Sequence, residues 1–355
     1  MVNQFEKFIK NVSGNTGVLI ENPVNIRYLT KCNIDEGVLL VTAKQGYLFV
    51  DSRFILDVDK NISNVEVILI EKFYRQLKAI IKIEKIKRLV LEADYITLNR
   101  YNRYVEFLPK IKLETDEEIM QALVKQRSVK TPEEIEKIKI AQELADDSFS
   151  YILNYIKPGR TEKAIAMELE NKLLSLGSEG LPFEVIVVSG KRSAIPHGKP
   201  SNKEVKRGEL LTLDFGAKIQ GYCSDMTRTI SIGPMGDKER EVYNVVLEAQ
   251  NRAIQNLKAG EDVKNIDKLA RKVINKKGYG KYFTHALGHG VGLSVHEYPR
   301  IASTSEDVIC SNSIVTVEPG IYIGNEFGVR IEDMLIVTDE GCVNITKSNK
   351  NIIGV

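Results

Sequence analysis

Residues 210–232, LLTLDFGAKIQGYCSDMTRTISI, and residues 314–337, IVTVEPGIYIGNEFGVRIEDMLIV, each read as two strand-like runs folded about a turn. The turns fall near Gln220-Gly221 and near Gly324-Asn325-Glu326. Each pair of runs carries two carboxylates at nearly equal distances from its turn, Asp214 with Asp225 and Glu318 with Glu332. Such residues lie opposite or nearly opposite each other on paired strands, where facing side chains stand about 5 Å apart. Like charges held that close in apolar strands are destabilising unless something neutralises them. The fold must therefore supply a positive partner for both strand pairs.

Two divalent ions balance four carboxylates. Carboxylate oxygens suit hard or borderline ions such as Mn²⁺, and an added imidazole fits Mn²⁺, Co²⁺ or Zn²⁺. Two such ions about 3.5–4 Å apart, bridged by carboxylates and a hydroxide, form a common hydrolytic arrangement. The stretch HALGHGVGLSVHE, residues 285–297, holds three of the four histidines in the chain. His289 is the expected histidine ligand, and the glycines on either side of it would let the backbone come close to a metal. An isolated aspartate in a strand ordinarily sits on a solvated face. It is the matched pairs, together with a glycine-flanked histidine, that point to a dinuclear metal site.

Composition narrows the alternatives. The 355 residues are 43% hydrophobic and 28% charged, ordinary for a globular chain with a substantial core. Fifty basic and 48 acidic residues leave a net charge of +2, which gives no reason to expect nucleic acid or an anionic membrane as partner. No apolar run is long enough to span a bilayer. The start, MVNQFEKFIKNV, is amphipathic and has no secretory-signal pattern, so a cytoplasmic location is expected. Cys32, Cys223, Cys310 and Cys342 are scattered, so a disulfide framework or a structural zinc site is not expected. Cys223, two residues from Asp225, could face the site but reads more simply as a small core residue.

Residues 16–99 alternate short strands (GVLIE, GVLLVTAKQGYLFVDS with a turn at AKQG, VEVILIE, RLVLEA) with helical spacing over 72–87. This is an α/β unit, expected as a domain over 1–126. KQRSVKT, residues 125–131, reads as the linker into a second domain over 127–355. There Thr131, Pro132 and Glu134 form an N-cap, first-turn proline and capping box for a long helix. Further helices are expected over 161–176, over 237–257 with Asp237 as cap, and over 262–276. The second domain is α+β, with helices outside and strand pairs inside.

In their order and context, LTLDFGAKIQGYCSDMTRT, HALGHGVGLSVHE, TVEPGIY and GVRIEDM resemble the pita-bread metallopeptidases: aminopeptidase P, prolidase and methionine aminopeptidase. The resemblance covers 127–355, and the first 120 residues or so resemble the creatinase-like N-terminal domain of the proline-specific branch. It implies an α+β pita-bread catalytic domain preceded by a smaller α/β creatinase-like domain, assembled as a homodimer. It also implies that Asp214, Asp225, His289, Glu318 and Glu332 bind two metal ions, Mn²⁺ first and Co²⁺ or Zn²⁺ as alternatives. Asp225 and Glu332 would bridge both ions. Asp214 would hold one, and His289 and Glu318 the other. Glu318 would double as general base towards the bridging hydroxide's water. His285 and His296 match two catalytic histidines, the latter directed at the substrate carbonyl. His197, in IPHGK, matches a histidine at the rim of the substrate pocket, with catalytic and binding roles. Arg330 matches an arginine that supports the ligands and helps bind substrate.

A separate N-terminal domain resembles the Xaa-Pro branch rather than methionine aminopeptidase, and the full ligand set is unlike creatinase. Arg300, four residues after His296, resembles an arginine of microbial prolidases that receives the free carboxylate beyond proline, a task suited to a guanidinium. The resemblance therefore implies a hydrolase of Xaa-Pro dipeptides, with proline-containing di- or oligopeptides as substrates. The alternatives are an aminopeptidase P acting on longer peptides, a non-peptide amidohydrolase, and a pita-bread binding protein that no longer cleaves.

Overall fold

The computed structural model describes residues 3–56, 58 and 62–355. Of the amphipathic start, Met1 and Val2 lie outside the described residues, and Asn3 closes a capping box on the helix Gln4–Phe8. The chain divides into two compact units, Met1–Arg127 and Ser128–Val355.

The first unit is built on a six-stranded mixed sheet. Its order is Val65–Leu69, Gly46–Val50, Val38–Thr42, Thr16–Ile20, Arg88–Leu91, Lys112–Glu114. The AKQG turn joins Val38–Thr42 to Gly46–Val50 as an antiparallel hairpin. Helix Phe73–Ile83 buries Leu77, Ile80 and Ile81 with Leu40, Phe49, Leu89 and Leu91 of the sheet in one core. Residues 125–131 depart from the expected irregular linker. The helix Glu117–Ser128 runs through most of them, because lysine, glutamine and arginine favour helix even where no apolar period is visible.

The second unit has two similar halves. In one, helices Pro132–Tyr155 and Glu162–Ser175 share a core with the sheet Met226–Ser231, Leu210–Phe215, Ile186–Ser189. Its long helix opens on the Thr131–Glu134 capping box with Pro132 in the first turn. In the other, helices Asp237–Ile254 and Val263–Lys276 share a core with strands of the second hairpin. The cap of Asp237–Ile254 is Gly236 rather than Asp237. The aspartate is the first helical residue, where its charge favours the helix N-terminus. The five-stranded sheet of this half runs Glu297–Ile301, Gly288–Gly290, Ile314–Val317, Asp333–Val337, Cys342–Asn344. None of the four cysteines is in a disulfide among the described residues, and Cys223 is buried against Ile138, Val291 and Met334.

Candidate functional site

Both hairpins are interrupted beside their carboxylates: Asp225, Glu318 and Glu332 lie in the breaks between strands, while Asp214 stands within Leu210–Phe215. In the second, Val317 pairs with Asp333 on one side of the break and Gly320 pairs with Arg330 on the other. Glu318 therefore lies across from Glu332, with the turn at Asn325 in the left-handed region, φ 63°. In the first hairpin the partner of Asp214 is Thr227, so Asp214 and Asp225 are diagonal neighbours rather than directly opposed. Gln220 and Gly221 make its turn with φ of 47° and 80°. The hairpins join directly, since the Glu332 amide donates to the Thr227 carbonyl at 3.1 Å.

His289 enters from the strand Gly288–Gly290. Its Nε2 lies 3.3 Å from Glu318 Oε1 and 3.6 Å from Asp225 Oδ2. Nδ1 donates to the Gly290 carbonyl at 3.0 Å, which turns Nε2 towards the carboxylates and fixes the ring. The neighbouring glycines have a different cause from the one expected. A Cβ on Gly288 would stand 2.0 Å from the Thr316 carbonyl oxygen, and one on Gly290 2.1 Å from that of Tyr298. They let this strand fit between its two neighbours, and that fit is what delivers His289 to the centre.

Ligand atoms of Asp225, His289 and Glu332 all lie within 4.8 Å of one another. Asp214, Asp225 and Glu332 are 9%, 5% and 1% exposed. Asp214 Oδ1 and Glu332 Oε1 are buried without any hydrogen-bond partner among the described residues. A buried carboxylate oxygen left so is costly, and a cation between the two hairpins answers both. The donor set of carboxylates and one imidazole fits a divalent metal.

Electrostatics point the same way. Burial, then the facing carboxylates, pushes Asp225 and Glu332 well above the usual carboxylate range. Burial also raises Asp214, against the pull of Arg330. Burial opposes ionisation of Glu318 as well, but the hydrogen bond and charge of His289, with His285 and Arg330, hold it at about 2. Burial lowers His289, yet its bond to Glu318 raises it overall. A positive charge is favoured at that point.

Arg330, 3% exposed, is the hub of the surrounding hydrogen bonds. Nη2 donates to Asp214 Oδ2 at 2.5 Å and Nε to Thr227 Oγ1 at 3.1 Å. The Thr227 hydroxyl in turn donates to Glu332 Oε2 at 2.7 Å. Nη1 donates to the Tyr322 hydroxyl at 2.7 Å and to the Pro196 carbonyl at 3.2 Å. Tyr322 in turn meets His285 Nε2 at 2.9 Å, while His285 Nδ1 donates to the Ala286 carbonyl at 2.7 Å. Burial keeps His285 neutral, so its Nε2 accepts from Tyr322 and both ring nitrogens are engaged.

His296 is exposed, its ring 4.4 Å from that of His289, and burial followed by the His289 charge lowers it. His197 is also exposed, and close enough for its charge to act on Asp214, His285 and His296. Arg300 pairs with His289 across the sheet and so projects on the same face. It is exposed and makes no ion pair among the described residues. Two contributors went unread in the sequence. Thr227 follows Asp225 by two positions on one face, and Tyr322 closes the TVEPGIY stretch, but neither hydroxyl residue carries a pattern of its own.

Two hairpins and a histidine strand converging on four carboxylates, within a layered α+β domain, define a metal-dependent hydrolase of pita-bread architecture. The chain belongs to metallopeptidase family M24, whose model matches residues 136–339, and a Creatinase/Prolidase N-terminal domain matches residues 11–129. It is 36% identical over 356 residues to an Xaa-Pro dipeptidase of Pyrococcus furiosus, covering 99% of this chain and 100% of the relative. Among solved structures, an Xaa-Pro dipeptidase from Bacillus anthracis superposes with a TM-score of 0.95 at 38% identity, covering 99% of each chain. An X-Pro aminopeptidase from Thermotoga maritima MSB8 superposes with a TM-score of 0.88 at 37% identity, covering 96% of each.

Proposed function

We propose that this metallopeptidase hydrolyses the peptide bond before proline in Xaa-Pro dipeptides. Residues 127–355 form its catalytic domain and residues 1–126 its creatinase-like domain. The carrying observation is the pair of buried carboxylate oxygens, on Asp214 and Glu332, that have no hydrogen-bond partner among the described residues. Asp214, Asp225, His289, Glu318 and Glu332 would hold two divalent ions, Mn²⁺ in preference to Co²⁺ or Zn²⁺ for a site so rich in carboxylates. When bound, such ions supply Lewis-acid activation of water and of the scissile carbonyl.

The protein's own groups do the rest. Glu318, ionised at neutral pH, accepts the water proton and returns it to the proline nitrogen as the bond breaks. His296 donates to the carbonyl oxygen as charge develops on it. His197 closes the rim over the substrate. Arg330 holds Asp214 and, through Tyr322, orients His285. Arg300 receives the carboxylate that follows proline in a dipeptide. Its unpaired guanidinium on the His289 face favours the dipeptidase reading over that of an aminopeptidase P.

The homodimer implied by the family resemblance, and the cytoplasmic location expected from the absence of a secretory-signal pattern, belong to the same proposal. No helix among the described residues is long and apolar enough to cross a membrane. The test is hydrolysis of Ala-Pro and of Ala-Pro-Ala by protein reconstituted with Mn²⁺, beside a chelated control. Cleavage of the dipeptide alone supports the proposal. Preference for the tripeptide makes the chain an aminopeptidase P. Cleavage of neither by metal-loaded protein revives the non-proline or non-catalytic reading.

A further inference from the structure

Outside the metal centre, one fully buried carboxylate collects more donors than any packing role requires. Glu162, at the start of helix Glu162–Ser175, is 0% exposed and accepts five hydrogen bonds from a single excursion of the chain. Its Oε1 takes the Ser189 amide at 2.8 Å and the Ser189 hydroxyl at 2.9 Å. Its Oε2 takes Arg192 Nε at 2.9 Å, the Ser201 amide at 3.1 Å and the Ser201 hydroxyl at 2.6 Å. One oxygen therefore holds the point where the excursion leaves the strand Ile186–Ser189, and the other holds the point where it returns. Arg192 Nη2 reaches on to the Lys199 carbonyl at 2.5 Å and cross-links the loop internally.

What this closed loop carries is His197, together with the Pro196 carbonyl that accepts from Arg330. The loop is also pinned from the side of the metal centre. The Gly328 amide donates to Ser193 Oγ at 2.8 Å, and a Cβ on Gly328 would meet the Ser193 carbonyl at 2.1 Å. Between these anchors His197 is exposed. No hydrogen bond holds the ring among the described residues, so its location is inherited from the anchors.

We propose that Glu162 is a positioning residue for peptide hydrolysis: by tying Ser189, Arg192 and Ser201 to one buried carboxylate, it fixes His197 over the substrate. This rests on the reading of the site as a peptidase in which His197 meets substrate. The chemistry selects a carboxylate because every group facing it is a donor. An amide would turn an NH₂ towards either Ser189 or the Arg192–Ser201 pair, and one end of the loop would lose its anchor.

The experiment is Glu162→Gln in the full chain, made alone and with His197→Ala, each loaded with Mn²⁺. Kinetics on Ala-Pro are measured beside the rate of tryptic cleavage after Lys191 and Arg192. Displacing a substrate-contacting group by an ångström or so lowers kcat/KM by roughly tenfold to a hundredfold, which is the fall expected of Glu162→Gln. In the His197→Ala background the same change should cost less than about threefold, since residues acting through one another are not additive. Cleavage within the loop should speed up, while Mn²⁺ affinity by calorimetry stays unchanged. Ser201→Ala, a milder loosening, should move each quantity in the same direction by less, and it serves where Glu162→Gln does not fold. An equal loss in both backgrounds, or an unchanged tryptic rate, overturns the proposal. Wild-type protein inactive on Ala-Pro and Ala-Pro-Ala would instead sink the peptidase reading, while the tryptic arm still reports whether Glu162 holds the loop.

Discussion

The two hairpins of the second unit share a plan but not an electrostatic state. Leu210–Ser231 sets Asp214 and Asp225 diagonally and offers Thr227 between them. Ile314–Val337 sets Glu318 across from Glu332 and adds Arg330. The carboxylates do not divide by hairpin. Asp214 and Asp225 of the first and Glu332 of the second are pushed up, chiefly by burial, while Glu318 of the second is held down by histidine. The supports cross over: Arg330 of the second hairpin serves Asp214 of the first, and Thr227 of the first serves Glu332 of the second. Neither hairpin is a half-site by itself.

That exchange can be broken at graded cost. Asp225→Asn removes a proposed ligand at the centre. It is expected to lower metal-dependent kcat/KM by about 10³-fold or more, as for loss of an interaction made in the transition state. Full activity in this variant would falsify the two-metal reading. Arg330→Gln leaves Asp214, Thr227 and Tyr322 without their common donor. Losing one partner of a buried ion pair costs about 3–5 kcal/mol, measured by denaturant unfolding of the metal-free protein. Arg330→Lys should recover little of it, because an ammonium lacks the guanidinium fork. Thr227→Val keeps the shape but deprives Glu332 Oε2 of its donor. A loss of about 1–3 kcal/mol is expected, with weaker metal binding by calorimetry.

The smallest effect is a pH dependence. Asp225 and Glu332 are raised in the folded state, so their contribution is fully present only below the ordinary carboxylate pKa of about 4 and is lost as pH rises through their folded values. Glu318, held at about 2, behaves oppositely: its contribution is present above about 4 and lost as pH falls towards 2. The Tm of metal-free protein should therefore decline from mildly acid to neutral pH. Asp225→Asn should flatten that slope, and a divalent ion should offset it. A slope unaltered in Asp225→Asn would mean that the carboxylates are not the source.

Much of this arrangement is legible in the sequence where the signal is local. The Thr131–Glu134 capping box and the left-handed turns at Gln220-Gly221 and Asn325 are set by neighbouring residues. The facing of Glu318 and Glu332 follows from equal spacing about one turn. Signals weaken where tertiary context decides. Lys125–Ser128 looked like a linker and is helix. Gly288 and Gly290 looked like room for a metal and are room for neighbouring strands. Thr227, Tyr322 and Glu162 act through partners between 27 and 105 positions away or at a loop's far end, and no local pattern marks a residue for such work.

The crossing of supports between hairpins also has a temporal meaning. Arg330 and Asp214 are separated by 116 positions, and Glu332 and Thr227 by 105. A chain emerging from the ribosome as far as residue 300 holds Asp214, Asp225 and His289 but lacks Glu318, Glu332 and the arginine that steadies the first hairpin. Contacts of such long range form late, after the local helices and turns. The groups proposed to hold the ions are therefore brought together only when the chain is nearly whole.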